Sequence, residues 1–328
     1  MHAIRLHAFG PPENLRYEPL DDPEPGPGEV RIAVGGAGVH LLDTSLRAGV
    51  VGPPLPLPAL PHVPGREVAG VVDALGDDVP REWLGRRVAV HLGREPRHGG
   101  YASATVAAAD ALHALPDTLD DANAVAMIGT GRTALAILEV AQIRADDVVL
   151  VTAAAGGLGS LLVQAGLRAD ALVVAVAGGA EKVARARELG AAIAVDYNAP
   201  DWAEQVREQL GDFELTVVFD GVGGTLGKTA MGLLAPGGRH IIHGASSGAP
   251  TAVTTDDLYR GGLTVSSAVG PAIARRPGGL RGLERDALAA AARGELIPAV
   301  QTFPLSEAAA AHAALETRAT TGKVVLVP

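Results

Sequence analysis

The spacing of apolar and polar residues divides the chain into two regimes. Up to about residue 122 the apolar runs are short and strand-like: Val30 to Val34, Val68 to Ala74, Arg87 to Val90 and Tyr101 to Val106, set apart by Pro/Gly clusters. The proline-rich stretch from Val50 to Pro64 reads as a largely non-helical loop, because proline removes the backbone donor a helix needs. Between Asp120 and Leu138 an alanine-rich segment has helical spacing, with Asp120 or Asp121 placed to cap it. From Val148 onward the rhythm changes. Strand patterns at 148–153, 172–177, 192–195, 215–220 and 239–243 alternate with helical patterns at 157–168, 180–189, 201–210 and 226–234. Such alternation predicts a parallel sheet covered by helices on both faces. After Leu263 the rhythm fades into helices at 283–293 and 306–316 and a closing strand, Lys323 to Val327. The expected fold class is α/β. A β-rich domain over residues 1–122 and 265–328 is interrupted by a doubly wound domain over residues 123–264.

One strand-to-helix junction carries candidate chemistry. The β-branched run ending at Thr152 meets Ala154-Ala155-Gly156-Gly157-Leu158-Gly159, and then a helix with Leu158, Leu161, Leu162 and Ala165 on one face. A dinucleotide site needs small residues there for three reasons: the chain turns sharply, the backbone approaches a pyrophosphate, and the helix packs closely on its strand. The free N–H groups of the helix start then face the phosphates. Ala154 replaces the first glycine of the usual fingerprint, so an ordinary glycine-rich α/β turn is the competing reading. The second strand, Leu172 to Val176, ends in Ala177-Gly178-Gly179 with no acid to hold ribose hydroxyls, and Lys182 follows. A cation there favours a 2′-phosphate, hence NADPH over NADH. The alternative is a solvated helix lysine.

Composition narrows the function classes. With 328 residues, 48% of them hydrophobic, the chain is long enough for two domains with substantial cores. Aromatics are only 3%, so those cores rest on Ala, Val and Leu. A formal net charge of −10 and the lack of any Lys/Arg run argue against nucleic acid or an anionic membrane as partner. There are no cysteines, which removes disulfides, thiolate nucleophiles and thiolate metal sites. No signal peptide is expected from MHAIRLHAFGPPENLRY, and no uninterrupted apolar run is of transmembrane length, so a cytoplasmic protein is the expectation.

Several motifs, in order, resemble those of the zinc-independent medium-chain dehydrogenases/reductases of the quinone oxidoreductase (zeta-crystallin-like) family. They are GVHLLDTSLRAG (Gly38 to Gly49), VPGREVAGVVDALG (Val63 to Gly76), GGYASATVAAADALHALPDTL (Gly99 to Leu119), the Thr133-Ala134 pair, the AAAGGLG turn and TTGKVVL (Thr320 to Leu326). The resemblance covers essentially the whole chain. It implies a GroES-like β domain, a Rossmann domain and a cleft between them. It also implies 2′-phosphate ligands at Lys182, eight residues before Gly190-Ala191, and at Tyr197 of the Asp196-Tyr197 pair. Gly178 or Gly179 stands where the family often has a small hydroxyl residue.

By the same resemblance Ala155, Gly156, Gly157, Leu158 and Gly159 hold the pyrophosphate, and Gly131 and Thr133 approach the nicotinamide end. Gly221, Val222, Gly244, Ala245 and Ser246 fall at strand C-termini, and Val269 and Lys323 close the nicotinamide pocket. Lys323 reads equally as a solvated charge. His40, Asp43 and Thr44 become cleft positions, with Asp43 equally a helix cap.

Zinc-dependent relatives place a histidine where Gly65-Arg66-Glu67 has Arg66. One His and one Glu do not reach the three ligands catalytic zinc needs, so no metal is expected. Without a Lewis acid, reduction of an acceptor already electron-poor is the favoured chemistry. A quinone is the first expectation. The alternatives are an enone or enoyl substrate, or a nucleotide-binding protein without useful turnover. The resemblance further suggests a homodimer through an edge strand near Leu263 to Ser267.

Overall fold

The computed structural model describes all residues except 51–55, 94–97, 269–272, 274, 275 and 277. The chain forms two compact units: residues 1–130 with 284–328, and residues 131–283.

The first unit is β-rich. Strands β1 (His2–Leu6) and β2 (Leu15–Pro19) pair antiparallel. A larger sheet is built from β3 (Glu29–Val39), β4 (Glu67–Leu75), β5 (Arg87–His91), β6 (Ala104–Ala108), β7 (His113–Ala114), β14 (Val300–Pro304) and β15 (Lys323–Val327). Its order is β14-β15-β3-β4-β5-β7, with β6 also on β3. The C-terminal strand thus returns to the sheet started near the N-terminus: Val324, Val325 and Leu326 register with Val39, Gly38 and Ala37. Alternate residues of these strands, among them Ile4, Leu6, Val30, Ile32, Val68, Val88 and Leu326, bury into one core. Helix α1 (Leu41–Ala48) follows β3 directly, α2 (Asp121–Ala126) packs on β3, β4 and β15, and α10 (Ala308–Glu316) packs on α1.

In the second unit, strands β8 (Val148–Thr152), β9 (Leu172–Ala177), β10 (Ile193–Asp196), β11 (Val217–Asp220), β12 (Arg239–Ile242) and β13 (Thr264–Ser267) form a six-stranded parallel sheet. Their order, β10-β9-β8-β11-β12-β13, is 3-2-1-4-5-6, that of a doubly wound dinucleotide domain. The near-continuous apolar strands follow from burial on both faces. Val149 and Val151 pack in one core with Ile137 and Leu162, from α3 (Arg132–Ala141) and α4 (Gly157–Arg168). Their neighbours Val148 and Leu150 point the other way, to Trp202 and Val206 of α6 (Trp202–Leu210). The remaining helices are α5 (Ala180–Glu188), α7 (Gly224–Met231), α8 (Thr255–Gly261) and α9 (Gly279–Ala292).

The alanine-rich segment is helical as its spacing predicts, and the Asp120 carboxylate caps it by accepting from Asn123 N at 2.7 Å. One helical run of 21 residues, Asp121–Ala141, contains a π-turn at Met127–Gly131. The run is apolar enough by composition to cross a bilayer, but 67% of its 18-residue apolar window is buried in the fold, as a core helix would be.

Candidate functional site

In the second unit the glycine turn and the end of the sheet lie together. The turn leaves β8 through Ala153, which adopts a positive φ of 49°, and Gly156 then opens α4. A β-carbon on Gly159 would sit 2.3 Å from the Ala153 carbonyl oxygen and 2.8 Å from Ala154 Cα. Both obstacles are backbone, so only glycine lets the helix lie this close to its strand. Ala154, in the first glycine's place, is fully buried and donates its N–H to the Val176 carbonyl at 3.1 Å, so a methyl group fits there.

At the ends of β9 and β10, Ala177 registers with Asp196, and Tyr197 N bonds the Ala177 carbonyl at 3.1 Å. The Tyr197 ring lies against Gly178: a β-carbon there would be 2.9 Å from Tyr197 Cε2 and 3.0 Å from its hydroxyl. Lys182, half-buried, stands in the first turn of α5, which begins two residues after Gly178. The strand end carries no acid, and Asp196 spends one carboxylate oxygen on the N–H groups of Gly179 and Asn198, each at 2.9 Å. The structure therefore packs the Tyr197 ring on Gly178 at the end of β9, with Lys182 in the helix turn that follows.

A third segment, at the end of β11, is held by Asp220. Its carboxylate accepts from Val222 N at 3.0 Å and Gly223 N at 2.8 Å, and from the Thr251 hydroxyl at 2.5 Å. Burial pushes this carboxyl up, but those donors and His240 beside it bring it down to about 2. Gly221 and Gly244 close on each other: a β-carbon on Gly244 would meet the Gly221 carbonyl oxygen at 2.6 Å. Ser246 N bonds that same oxygen at 3.2 Å, and Ala245 beside it is exposed. Gly131 is buried and Thr133 half-buried in the first turn of α3. Val269 lies outside the described residues.

The first unit holds a buried ionic cluster. Glu67, fully buried in β4, has Lys323 Nζ at 2.7 Å and His40 Nε2 at 2.8 Å from its Oε1. Burial pushes the Glu67 carboxyl up, but the charges of His40 and Lys323 outweigh it and hold the group well below the usual carboxylate range. Gly38 and Gly129 leave room for this carboxylate: a β-carbon on either would fall within 2.0 Å of one of its oxygens. Lys323 is 5% exposed, so it is not a solvated surface charge. His40 is the most open of the three, with 27% of its side chain exposed.

A second network starts at Asp43, which is 3% exposed. It accepts from His40 N at 2.8 Å, as the N-terminal cap of α1, and from the Tyr101 hydroxyl at 3.2 Å. Arg66 Nε and Nη2 each lie 3.3 Å from its other oxygen. The Tyr101 proton points to Asp43, so His312 Nε2, 3.2 Å from the same hydroxyl, donates to it. Thr44 is buried and gives its hydroxyl to the Leu41 carbonyl at 2.8 Å. Asp43 and Thr44 thus hold α1 together, and His40 is the member of that predicted trio with an open edge.

Sequence reasoning did not assign Glu67, Tyr101 or His312 a role. Glu67 was visible in the Gly65-Arg66-Glu67 triplet. Tyr101 and His312 are 211 residues apart, with no spacing to connect them.

A cavity of about 380 Å³ lies beside this network, wholly within the first unit, walled by Leu6, Leu46, Pro58, Pro61, His62 and Arg66 among others. Zinc does not fit this donor set. Arg66 is a cation where a ligand would be needed, Glu67 is already neutralised by Lys323, and no group of three His, Cys, Asp or Glu is assembled among the described residues.

Comparison with known proteins agrees with these two units. Residues 26–117 match the family described as alcohol dehydrogenase GroES-like domain, and residues 157–283 the family described as zinc-binding dehydrogenase. The chain is 34% identical to a quinone oxidoreductase of Pseudomonas aeruginosa, over 99% of both chains. It is 33% identical to a 2-haloacrylate reductase of a Burkholderia species, over 99% of this chain and 98% of the relative. Among solved structures, Escherichia coli quinone oxidoreductase complexed with NADPH superposes with a TM-score of 0.86 at 29% identity, over all of both chains. Fold, motif order and full-length identity together make this chain an oxidoreductase of the quinone oxidoreductase (zeta-crystallin-like) family of zinc-independent medium-chain dehydrogenases/reductases.

Proposed function

We propose that the protein reduces an electron-poor acceptor, a quinone by first choice, with hydride from NADPH and without a metal. The observation that supports this reading is the Tyr197 ring packed on Gly178 at the end of β9, with Lys182 in the following helix turn and the Ala155–Gly159 turn after the neighbouring strand β8. An ammonium and a phenol hydroxyl near a helix N-terminus suit a 2′-phosphate and a pyrophosphate, and the absence of an acid at the end of β9 removes the usual reason to prefer NADH. Two relatives support it: solved structures of an Escherichia coli and a mycobacterial protein are complexes with NADPH.

On this reading the second unit, residues 131–283, is the NADPH domain and the first unit, residues 1–130 with 284–328, the catalytic domain. The bound cofactor supplies hydride. This chain supplies grip through Lys182, Tyr197 and the glycine turn, and a polar edge at His40 oriented by Glu67. Positioning and exclusion of water are its main contributions. A reduced quinone takes its protons from solvent, so no dedicated acid is required. Among the described residues strand β13 pairs on one side only, with β12, which leaves an edge through which two copies join in the proposed homodimer.

A second reading is reduction of an activated carbon–carbon double bond, favoured by the relative that acts on 2-haloacrylate and by Arg66 at the cavity wall. Steady-state oxidation of NADPH and NADH against quinones and enones tests both. Turnover of quinones with NADPH preferred supports the first. Turnover of enones alone supports the second. No turnover with either leaves a nucleotide-binding protein.

A further inference from the structure

We propose that Asp196 is the positioning residue of the 2′-phosphate site: its carboxylate fixes the start of α5, and with it Lys182, against the turn that carries Tyr197. The inference deepens the NADPH reading above and rests on it.

Lys182 stands at an unfavourable place for a lysine. Gly179 is the N-cap of α5, so Ala180, Glu181 and Lys182 are its first helical residues. A cation there opposes the positive end of the helix dipole. The third helical position is also where a Glu or Gln commonly reaches back to accept from the N-cap N–H. Lysine has no acceptor to offer. Gly179 has a φ of 92°, which glycine adopts at no steric cost, and it brings no side chain of its own to the helix start.

The missing acceptor comes from the neighbouring strand. Asp196 closes β10, in register with Ala177 at the end of β9. One of its oxygens accepts from Gly179 N and from Asn198 N, each at 2.9 Å. Between them in the chain, Tyr197 N donates to the Ala177 carbonyl at 3.1 Å. The same oxygen thus shapes the turn that carries Tyr197 and holds the residue that starts α5. The far end of that helix is pinned separately, by Arg187, which donates to the Ala194 carbonyl at 3.1 Å. Loss of the Asp196 carboxylate therefore loosens the first turn of α5 and leaves the body of the helix on the sheet.

Charge does not account for an acid at this place. A carboxylate near a 2′-phosphate is repelled by it, so the useful property of Asp196 is where its oxygen sits. Asparagine presents a neutral carbonyl oxygen at the same distance from the backbone. Glutamate keeps the charge but moves it by one methylene. The two substitutions separate geometry from charge.

The test is fluorescence titration of the full-length protein with NADPH and with NADH. Asp196→Ala and Asp196→Glu are expected to weaken NADPH binding about tenfold and to change NADH binding by less than about twofold. Asp196→Asn restores NADPH affinity to within about twofold of the wild type, because it retains the acceptor. A loosening of the whole unit would weaken both nucleotides alike. In a Lys182→Ala background the effect of Asp196→Ala on NADPH falls to about threefold or less, since Asp196 acts through that side chain. Should Asp196→Ala fail to fold, the contrast between Asn and Glu decides. Equal losses for NADPH and NADH, or an Asn variant no better than the Glu variant, overturn the inference. An Asp196→Ala protein with wild-type NADPH affinity also overturns it, and leaves the NADPH reading standing if Lys182→Ala weakens NADPH binding. Lys182→Ala without effect on NADPH overturns both.

Discussion

Lys323 Nζ lies 2.7 Å from Glu67 Oε1 with both side chains buried, so the C-terminal strand is tied to β4 by an ion pair that water does not screen. Removing one partner leaves the other charge buried. Lys323→Met is expected to lower unfolding free energy by about 3 kcal/mol, softened by His40 at the same carboxylate. Glu67→Gln combined with Lys323→Met should cost less than the sum of the two single changes. Urea unfolding of the four proteins at neutral pH measures both effects.

His312 gives the protein an acid-side weakness. Burial holds its pKa at about 4, against 6.5 in an unfolded chain, so the folded state stays neutral where the unfolded state takes up a proton. A depressed histidine contributes fully above pH 6.5 and loses that contribution as pH falls toward 4. Between pH 7 and pH 5 this one group accounts for about 2 kcal/mol of lost stability. His312→Phe should flatten the stability profile in that window by a comparable amount, at some cost at pH 7 from the lost contact with Tyr101. Urea unfolding at the two pH values is the check.

The turn at Gly159 admits no side chain. Gly159→Ala places a methyl group 2.3 Å from the Ala153 oxygen, so α4 must move off β8. The expected cost is about 1–3 kcal/mol or more, with NADPH binding weakened in the folded fraction. Thermal unfolding and nucleotide fluorescence titration read the two consequences separately.

Lys182 should discriminate between nicotinamide cofactors. Lys182→Ala is expected to weaken NADPH binding by roughly 10- to 100-fold and to leave NADH nearly unchanged, because only the former carries the 2′-phosphate. Equal affinities for NADPH before and after the change would remove Lys182 from the site.

Much of this was legible in the sequence because it is local. The βα alternation predicted the sheet of the second unit to within a few residues, since each strand and helix announces itself in a short window. The glycine turn that opens α4 is likewise a short-range pattern. The fate of the charged residues was not legible. Lys323 read equally as a solvated charge, and only the pairing of β15 with β3 brings it beside Glu67. Arg66 announced the loss of a zinc ligand, but its distance to Asp43 and its place on a cavity wall depend on the fold around α1. Thr44, read as a cleft position, is spent inside its own helix, which a motif comparison cannot reveal.

The most direct measurement of the central claim is NADPH oxidation by para-benzoquinone with the purified protein, run with and without a strong chelator and repeated with NADH. The account predicts turnover that the chelator leaves intact and that drops sharply when NADH replaces NADPH. Turnover abolished by the chelator, or equal rates with the two cofactors, would contradict it.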